Sequence, residues 1–336
     1  MSEAAPALIE VRDLVKVYGR DTRAVDRISF QVGRGELFGF LGPNGAGKTT
    51  TIRILSTLLR PTSGTARLAG FDVVAHPHEV RRRLGLAMQT PTLDAFSTGR
   101  ETLELSGRLH RLPGAELKRR IDELLELMGL TGVANKLTGT YSGGMRRRLD
   151  LASALMHRPE VLILDEPTEG LDPQSRMALW EELERINRSG TTMLLTTHYM
   201  EEADRLCSRV AIIDNGQIVV DGAPTDLKRS VGADTVVLQL QTDTRRDGFE
   251  ARRSEARHLL QEMLGPQAVA PHPAGVTLSV PNASAAIPGL LRRLDGAGIE
   301  IFGLQMQQPS LDDVFLKYTG RRIRTEAADQ PIILGW

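Results

Sequence analysis

The sequence predicts an α/β protein: a doubly wound parallel sheet with a helical insertion, followed by a smaller α+β domain. Three observations carry that prediction. First, a short apolar run, Leu37 to Leu41, ends in a glycine-rich loop that opens a helical pattern in which Ile52, Leu55 and Leu59 share a face. Second, the continuous runs Val161-Leu162-Ile163-Leu164 and Met193-Leu194-Leu195 flank a helical stretch that starts after Asp172-Pro173. Uninterrupted apolar strands alternating with helices mark a parallel sheet covered on both faces. Third, the last third of the chain reads strand, helix, two strands, helix, strand, which is the ferredoxin-like order.

In chain order, residues 7 to 41 hold short apolar runs between glycine-rich turns, beginning with Ala7 to Val11, and read as strands. Pro61-Thr62-Ser63-Gly64 stops the helix that follows the loop. Across about 90–158 the pattern is helical, clearest where Leu117, Ile121, Leu124, Leu125 and Met128 fall on one face. Within it, Arg146-Arg147-Arg148 reads as a solvent-facing stripe. Arg209 to Asp214 and Gln217 to Asp221, joined by Asn215-Gly216, predict a hairpin that closes a first domain at 1–222. The stretch 223–234 reads as a linker, and 235–320 as the second domain. That domain has a strand at Thr235 to Gln241, a helix at Glu250 to Leu264, and two short strands around Pro271 to Gly275. A helix at Ala283 to Ala297, a strand at Ile299 to Gln305 and a last helix around Leu311 to Tyr318 complete it. Residues 321–336 read as a mobile polar tail.

With 336 residues the chain has room for about two domains, and 41% hydrophobic with 25% charged residues exclude a disordered or fibrous chain. Lys plus Arg and Asp plus Glu number 42 each, so no bulk positive field argues for nucleic acid as a partner. The single cysteine, Cys207, rules out an internal disulfide and reads as a small buried thiol. No stretch approaches the roughly 20 apolar residues that span a bilayer, and no basic segment precedes an apolar run at the N-terminus. A cytosolic chain, held at a membrane only through a partner, is the expectation.

Gly42-Pro43-Asn44-Gly45-Ala46-Gly47-Lys48-Thr49 fits the phosphate-binding P-loop pattern, and it sits after a strand and before a helix, where the chemistry needs it. Glycines let the backbone close around phosphate, and the helix N-terminus adds its dipole. Lys48 would reach the β and γ phosphates, and the Thr49 hydroxyl would ligate magnesium. Asp165 and Glu166 end an apolar strand, so both emerge at the carboxyl edge of the sheet, where open α/β sheets hold ligands. Asp165 fits a magnesium-associated acid, and Glu166 a base for the attacking water. His76-Pro77-His78 lacks metal-ligand spacing and reads as a solvated loop.

The P-loop, then Tyr141-Ser142-Gly143-Gly144-Met145, then Leu162-Ile163-Leu164-Asp165-Glu166-Pro167-Thr168, then Gly170-Leu171-Asp172-Pro173 and finally His198 resemble, in that order, the ATP-binding subunit of an ABC transporter. The resemblance covers about residues 7–222. The remainder, including Leu311-Asp312-Asp313-Val314-Phe315-Leu316, resembles the C-terminal extension of the daunorubicin-resistance type of bacterial exporter ATPase. The resemblance implies a P-loop NTPase core and ATP with Mg2+ as cofactors. It implies Tyr18 as the aromatic residue stacked on adenine, Thr50 beside Thr49 in the nucleotide loop, Gln89 as a ligand to metal and water, and His198 as a contact to the γ phosphate. Ser142, Gly143 and Gly144 would bind the nucleotide of a second copy in a head-to-tail dimer, and Asp172 would cross that interface.

The resemblance further implies separate integral membrane permease subunits as partners, received beside Gln89 and Thr90 to Arg100 at the cytoplasmic face of the membrane. The implied function is ATP hydrolysis that powers export of drugs, antibiotics or other hydrophobic compounds. Lipid or polysaccharide export is the alternative within transport. A soluble ABC ATPase acting on ribosomes or DNA is a further one, disfavoured by the single cassette and the short span from Lys48 to Asp165. A binding switch without catalysis is disfavoured by the intact Glu166 and His198. Tyr141 and Met145 stand where the common family form has Leu and Gln. Glu169 is an acid where small or amide residues are usual, and the sequence offers no account of it.

Overall fold

The first forty residues build strands of two different sheets in the computed structural model, which describes residues 7–19, 21–240 and 246–320. β1 (Ile9–Tyr18) and β2 (Thr22–Val32) pair antiparallel, with inward residues such as Ile9, Val11, Val25 and Ile28 buried. β3 (Leu37–Leu41) is buried at every position. Beyond it come α1 (Lys48–Leu55), β4 (Ser63–Leu68), β5 (Phe71–Asp72), α2 (Pro77–Arg83) and β6 (Leu84–Ala87). The helical insertion holds α3 (Gly99–Leu109), α4 (Gly114–Leu127) and α5 (Gly143–Ala154). The chain then returns through β7 (Val161–Asp165), α6 (Pro173–Arg188), β8 (Thr192–Thr197), α7 (Met200–Leu206), β9 (Arg209–Asp214) and β10 (Gln217–Gly222).

One sheet is antiparallel, in the order β2-β1-β4-β5. The other runs β10-β9-β3-β8-β7-β6, parallel from β9 to β6 with β10 antiparallel at its edge. The hydrophobic core lies between them: Phe30 from β2 stacks on Phe38 from β3 with ring centroids 5.5 Å apart. β7 and β8 are buried throughout, as their unbroken apolar runs require. In α4 the expected face is the buried one, with Leu117, Ile121, Leu124 and Leu125 turned inward. Asn215 and Gly216 both have positive φ, 48° and 78°, as the two-residue turn between β9 and β10 demands. Cys207 is buried against Gly39 of β3, where an added Cβ would stand 2.6 Å from its sulfur.

The described residues divide into two compact units, and the second comprises Thr225–Lys317. The stretch read as a linker forms a helix instead, α8 (Pro224–Val231). Pro224 opens it, and Leu227, which is buried, anchors it. After it β11 (Asp234–Leu240), α9 (Arg246–Leu264), β12 (Val269–His272), β13 (Gly275–Val280), α10 (Ala283–Asp295) and β14 (Ile301–Gln307) give an antiparallel sheet in the order β12-β13-β11-β14. This is the ferredoxin-like arrangement, its core formed by Val236, Leu238, Val276 and Leu278 against Ala256, Leu260, Leu290 and Leu294. α11 (Leu311–Thr319) follows, and the expected tail at 321–336 lies outside the described residues. His78 is not on a loop: it lies within α2, and His76 stands at the N-cap position just before it without a side-chain cap bond.

Candidate nucleotide site

β3, β8 and β7 are adjacent and parallel, so the residues that follow them meet at one edge of the sheet. β3 delivers the glycine loop, β7 delivers Asp165 and Glu166, and His198 stands just past β8. Two loop positions must be glycine. Gly47 has φ 107°, and an added Cβ would lie 2.4 Å from the Ala24 carbonyl oxygen; at Gly42 it would lie 2.3 Å from that of Ile213. Asn44 and Gly45 form the exposed tip, Ala46 is buried, Pro43 and Thr50 are half-buried, and Lys48 opens α1.

The Lys48 ammonium is 4% exposed and donates to the carbonyl oxygens of Gly42 at 2.6 Å and Pro43 at 3.1 Å. It also pairs with Glu166 Oε1 at 3.2 Å. The other carboxylate oxygen of Glu166 accepts from His198 Nδ1 at 2.9 Å. Burial pushes the Glu166 carboxyl up, but the His198 hydrogen bond and the Lys48 charge outweigh it and hold it below the ordinary carboxylate range. Glu166 itself has φ 46°, in the left-handed region. Its N–H donates to the Thr196 carbonyl at 3.0 Å and to Thr196 Oγ1 at 3.1 Å, which holds the turn.

Asp165 Oδ1 accepts from Thr49 Oγ1 at 3.3 Å and from Thr196 Oγ1 at 2.6 Å. Its Oδ2 is buried with no hydrogen-bond partner among the described residues. A buried carboxylate oxygen left open beside a threonine hydroxyl suits a hard cation that keeps most of its ligands from substrate and water. Gln89, two residues beyond β6, is exposed, and its amide donates to the carboxylate of Glu169. Glu169 is thus the group that holds the Gln89 side chain.

Ser142 caps α5, its Oγ accepting from Met145 N at 3.2 Å, and Ser142 and Gly143 are exposed while Gly144 packs on Ser175. Tyr141 is buried and donates to the Val133 carbonyl at 2.7 Å. It fits because position 99 is glycine: a Cβ there would stand 2.4 Å from the Tyr141 hydroxyl. Asp172 caps α6 by accepting from Ser175 N at 3.0 Å, and the Ser175 hydroxyl, together with that amide, holds its carboxyl below the ordinary carboxylate range. Tyr18, at the end of β1, is 39% exposed with Lys16 Nζ 5.4 Å from its ring centroid.

The three arginines do not form the expected solvent-facing stripe. Arg146 is exposed, but Arg147 is 4% exposed, and Arg148 reaches the Met128 carbonyl at 2.9 Å. The Arg147 guanidinium donates from Nε to Pro167 O at 2.8 Å, from Nη2 to Asp165 O at 3.1 Å, and from Nη1 to Met88 O and, at 3.3 Å, to Asp150 Oδ2. Burial raises Asp150 to about 6 against the pull of Arg147. Charge runs are normally solvated, and only the helical phase, which puts position 147 on the same side as buried Gly144 and Leu151, could have singled it out. Thr196 carries a signal in the sequence too: with Thr197 it continues the apolar run Met193-Leu194-Leu195 as polar residues inside a fully buried strand.

A parallel sheet carrying a P-loop at one strand end and paired acids at another defines a P-loop NTPase. The family model for the ABC transporter matches residues 25–169, and that for the ATP-binding protein DrrA1-3-like C-terminal domain matches residues 222–319. The daunorubicin resistance ATP-binding protein DrrA2 of Streptomyces coeruleorubidus is 41% identical over 326 residues, covering 96% of this chain and 98% of the relative. The Nod factor export ATP-binding protein I of Ralstonia nicotianae is 40% identical, covering 94% and 95%. A solved ATP-binding subunit of an ABC transporter is 32% identical with a TM-score of 0.61, covering 66% of this chain and 92% of its own. The chain belongs to the ATP-binding subunits of ABC transporters, of the daunorubicin-resistance type.

Proposed function

We propose that the chain binds ATP with magnesium in the loop after β3 and hydrolyses it as the motor of an exporter for drugs or other hydrophobic compounds. The observation that carries this reading is the convergence of Lys48 and His198 on Glu166, at 3.2 and 2.9 Å, at the carboxyl edge of the sheet. A γ phosphate entering the loop competes for both donors. As they turn to it, the Glu166 carboxylate is released to accept a proton from water. That water's oxygen attacks phosphorus, the bond to the β-phosphate oxygen breaks, and ADP and inorganic phosphate result.

Thr49, Asp165 and Gln89 would hold magnesium, which neutralises charge on the β and γ phosphate oxygens. The open Asp165 Oδ2 supports that role. Tyr18 is the surface on which adenine stacks. The exposed capped start of α5, with Ser142, Gly143 and Gly144, supports an anion contact to the nucleotide of a second copy in a C2 dimer. No helix among the described residues is long and apolar enough to cross a membrane, so export requires integral membrane subunits, which would hold this chain at the cytoplasmic face. Similarly close relatives are named for daunorubicin resistance and for Nod factor export, in keeping with cargo being selected by the membrane subunit.

The test is purification of the tagged chain from detergent-solubilised host membranes, followed by turnover assays. A stoichiometric polytopic partner and magnesium-dependent ATPase activity abolished by Glu166→Gln are expected. Capture of ribosomal proteins or DNA instead, with activity intact, would overturn the transport reading.

A further inference from the structure

Arg147 is buried where a charge needs a reason. Its planar fork engages three backbone carbonyls that come from two separate segments, each next to a nucleotide-site residue. The Asp165 carbonyl is peptide-bonded to Glu166. The Met88 carbonyl is peptide-bonded to Gln89. Pro167 leads to Glu169, whose carboxylate holds the Gln89 amide. One guanidinium therefore fixes the backbone on both sides of the Gln89 and Glu169 pair, as well as the end of β7.

The same side chain belongs to α5, whose first turn begins at Ser142. Ser142 is locked to the helix by its own cap, so a displacement of the helix start is carried rigidly along the about 7.5 Å of rise to position 147. A guanidinium with three carbonyl acceptors outside its own helix does not slide: when α5 moves, these carbonyls move with it or the hydrogen bonds break. We propose that Arg147 is a positioning residue that couples the two nucleotide sites of the dimer. It joins the helix start that closes on the partner copy's nucleotide to the Gln89, Asp165 and Glu166 set that acts on this chain's own nucleotide. The inference rests on the dimer reading above, and it deepens that reading by giving closure in one site a physical route to the other.

The test uses the full-length chain in two stages. In the first, Glu166→Gln with Arg147 intact is examined by size exclusion with light scattering, with and without ATP and magnesium. An ATP-dependent dimer is expected, and its absence would remove the dimer reading and this proposal with it. In the second, Arg147→Met and Arg147→Lys are compared with the parent. The expected result is unchanged melting temperature and nucleotide affinity in the Lys variant, a Hill coefficient for ATP turnover reduced from above 1 to 1, and a kcat lowered about 10- to 100-fold. Lys keeps the charge but offers a compact head in place of the fork, so it should restore stability without restoring cooperativity. If Arg147→Met does not fold, the Lys variant decides. A parent Hill coefficient of 1, a variant that keeps the parent's value, or turnover lost in proportion to melting temperature and affinity would overturn the proposal.

Discussion

Replacing Glu166 with Gln should tighten the binding of a non-hydrolysable ATP analogue as well as stop turnover. Glu166 engages Lys48 at 3.2 Å and His198 at 2.9 Å, with the two acid–base partners Lys48 and Glu166 only 4% and 7% exposed. An incoming γ phosphate must displace the carboxylate from both donors. A hydrogen bond to a charged group contributes about 1.5–3 kcal/mol net, and a neutral amide keeps roughly half of each. The competition removed is then about 1.5–3 kcal/mol, or about 10- to 100-fold in dissociation constant. Loss of repulsion between the carboxylate and the phosphate acts in the same direction. Calorimetric titration with the analogue and magnesium separates this effect from the trapping caused by absent hydrolysis. An analogue affinity that is unchanged or weaker in Glu166→Gln, in a protein with the parent's melting temperature, would refute the idea that nucleotide and carboxylate compete for the same donors.

Lys48→Ala deletes one partner of a buried pair and should abolish analogue binding in the same titration. It should also cost about 3 kcal/mol in urea unfolding, the low end for such a deletion because His198 still serves Glu166. Gly47→Ala meets the Ala24 carbonyl at 2.4 Å with φ 107°, so a loss of about 1–3 kcal/mol and of nucleotide binding is expected, read by thermal melts and titration. His157 lies 3.8 Å from His110, ring on ring, and burial together with that neighbour lowers its pKa from 6.5 to about 4. The unfolded chain takes up this proton near pH 6.5 and the fold only near 4. Its contribution is therefore complete above pH 6.5 and lost as pH falls through that window, by about 2 kcal/mol after allowance for partial exposure. Asp150, raised to about 6, titrates in the opposite sense over an overlapping range. The readout is therefore the difference between the parent and His157→Gln in urea melts at pH 7 and 4.5, and parallel losses would contradict the assignment.

The legible parts of this molecule are those where one local rule decides. The runs at 161–164 and 193–195 are apolar without a break, and burial on both faces of a parallel sheet is the arrangement that tolerates that. The P-loop was legible because its glycines are imposed by neighbouring backbone. The antiparallel sheet of β1, β2, β4 and β5 was less so, since β4 is exposed at four of its six positions and β5 has two residues, leaving little periodicity to read. α8 was hidden by a composition rich in turn formers. At Arg147 charge alone argues for water, and its acceptors are carbonyls far away in sequence that no pattern announces. Glu169 could be noticed as unusual, but its attachment to Gln89, 80 residues earlier, exists only once β6 and β7 lie side by side.

Cys207 has a practical consequence. It is the chain's only cysteine, its thiol is pushed well above the ordinary value by burial, and Gly39 closes over its sulfur. A thiol that is neither ionised nor reachable does not react with maleimides or nitroxide reagents in the folded protein. The native sequence is therefore a ready background for site-specific spectroscopy. A cysteine introduced at exposed Arg146 would be the one position labelled, so distances between the two copies of the proposed dimer could be followed through the nucleotide cycle without first engineering a cysteine-free chain.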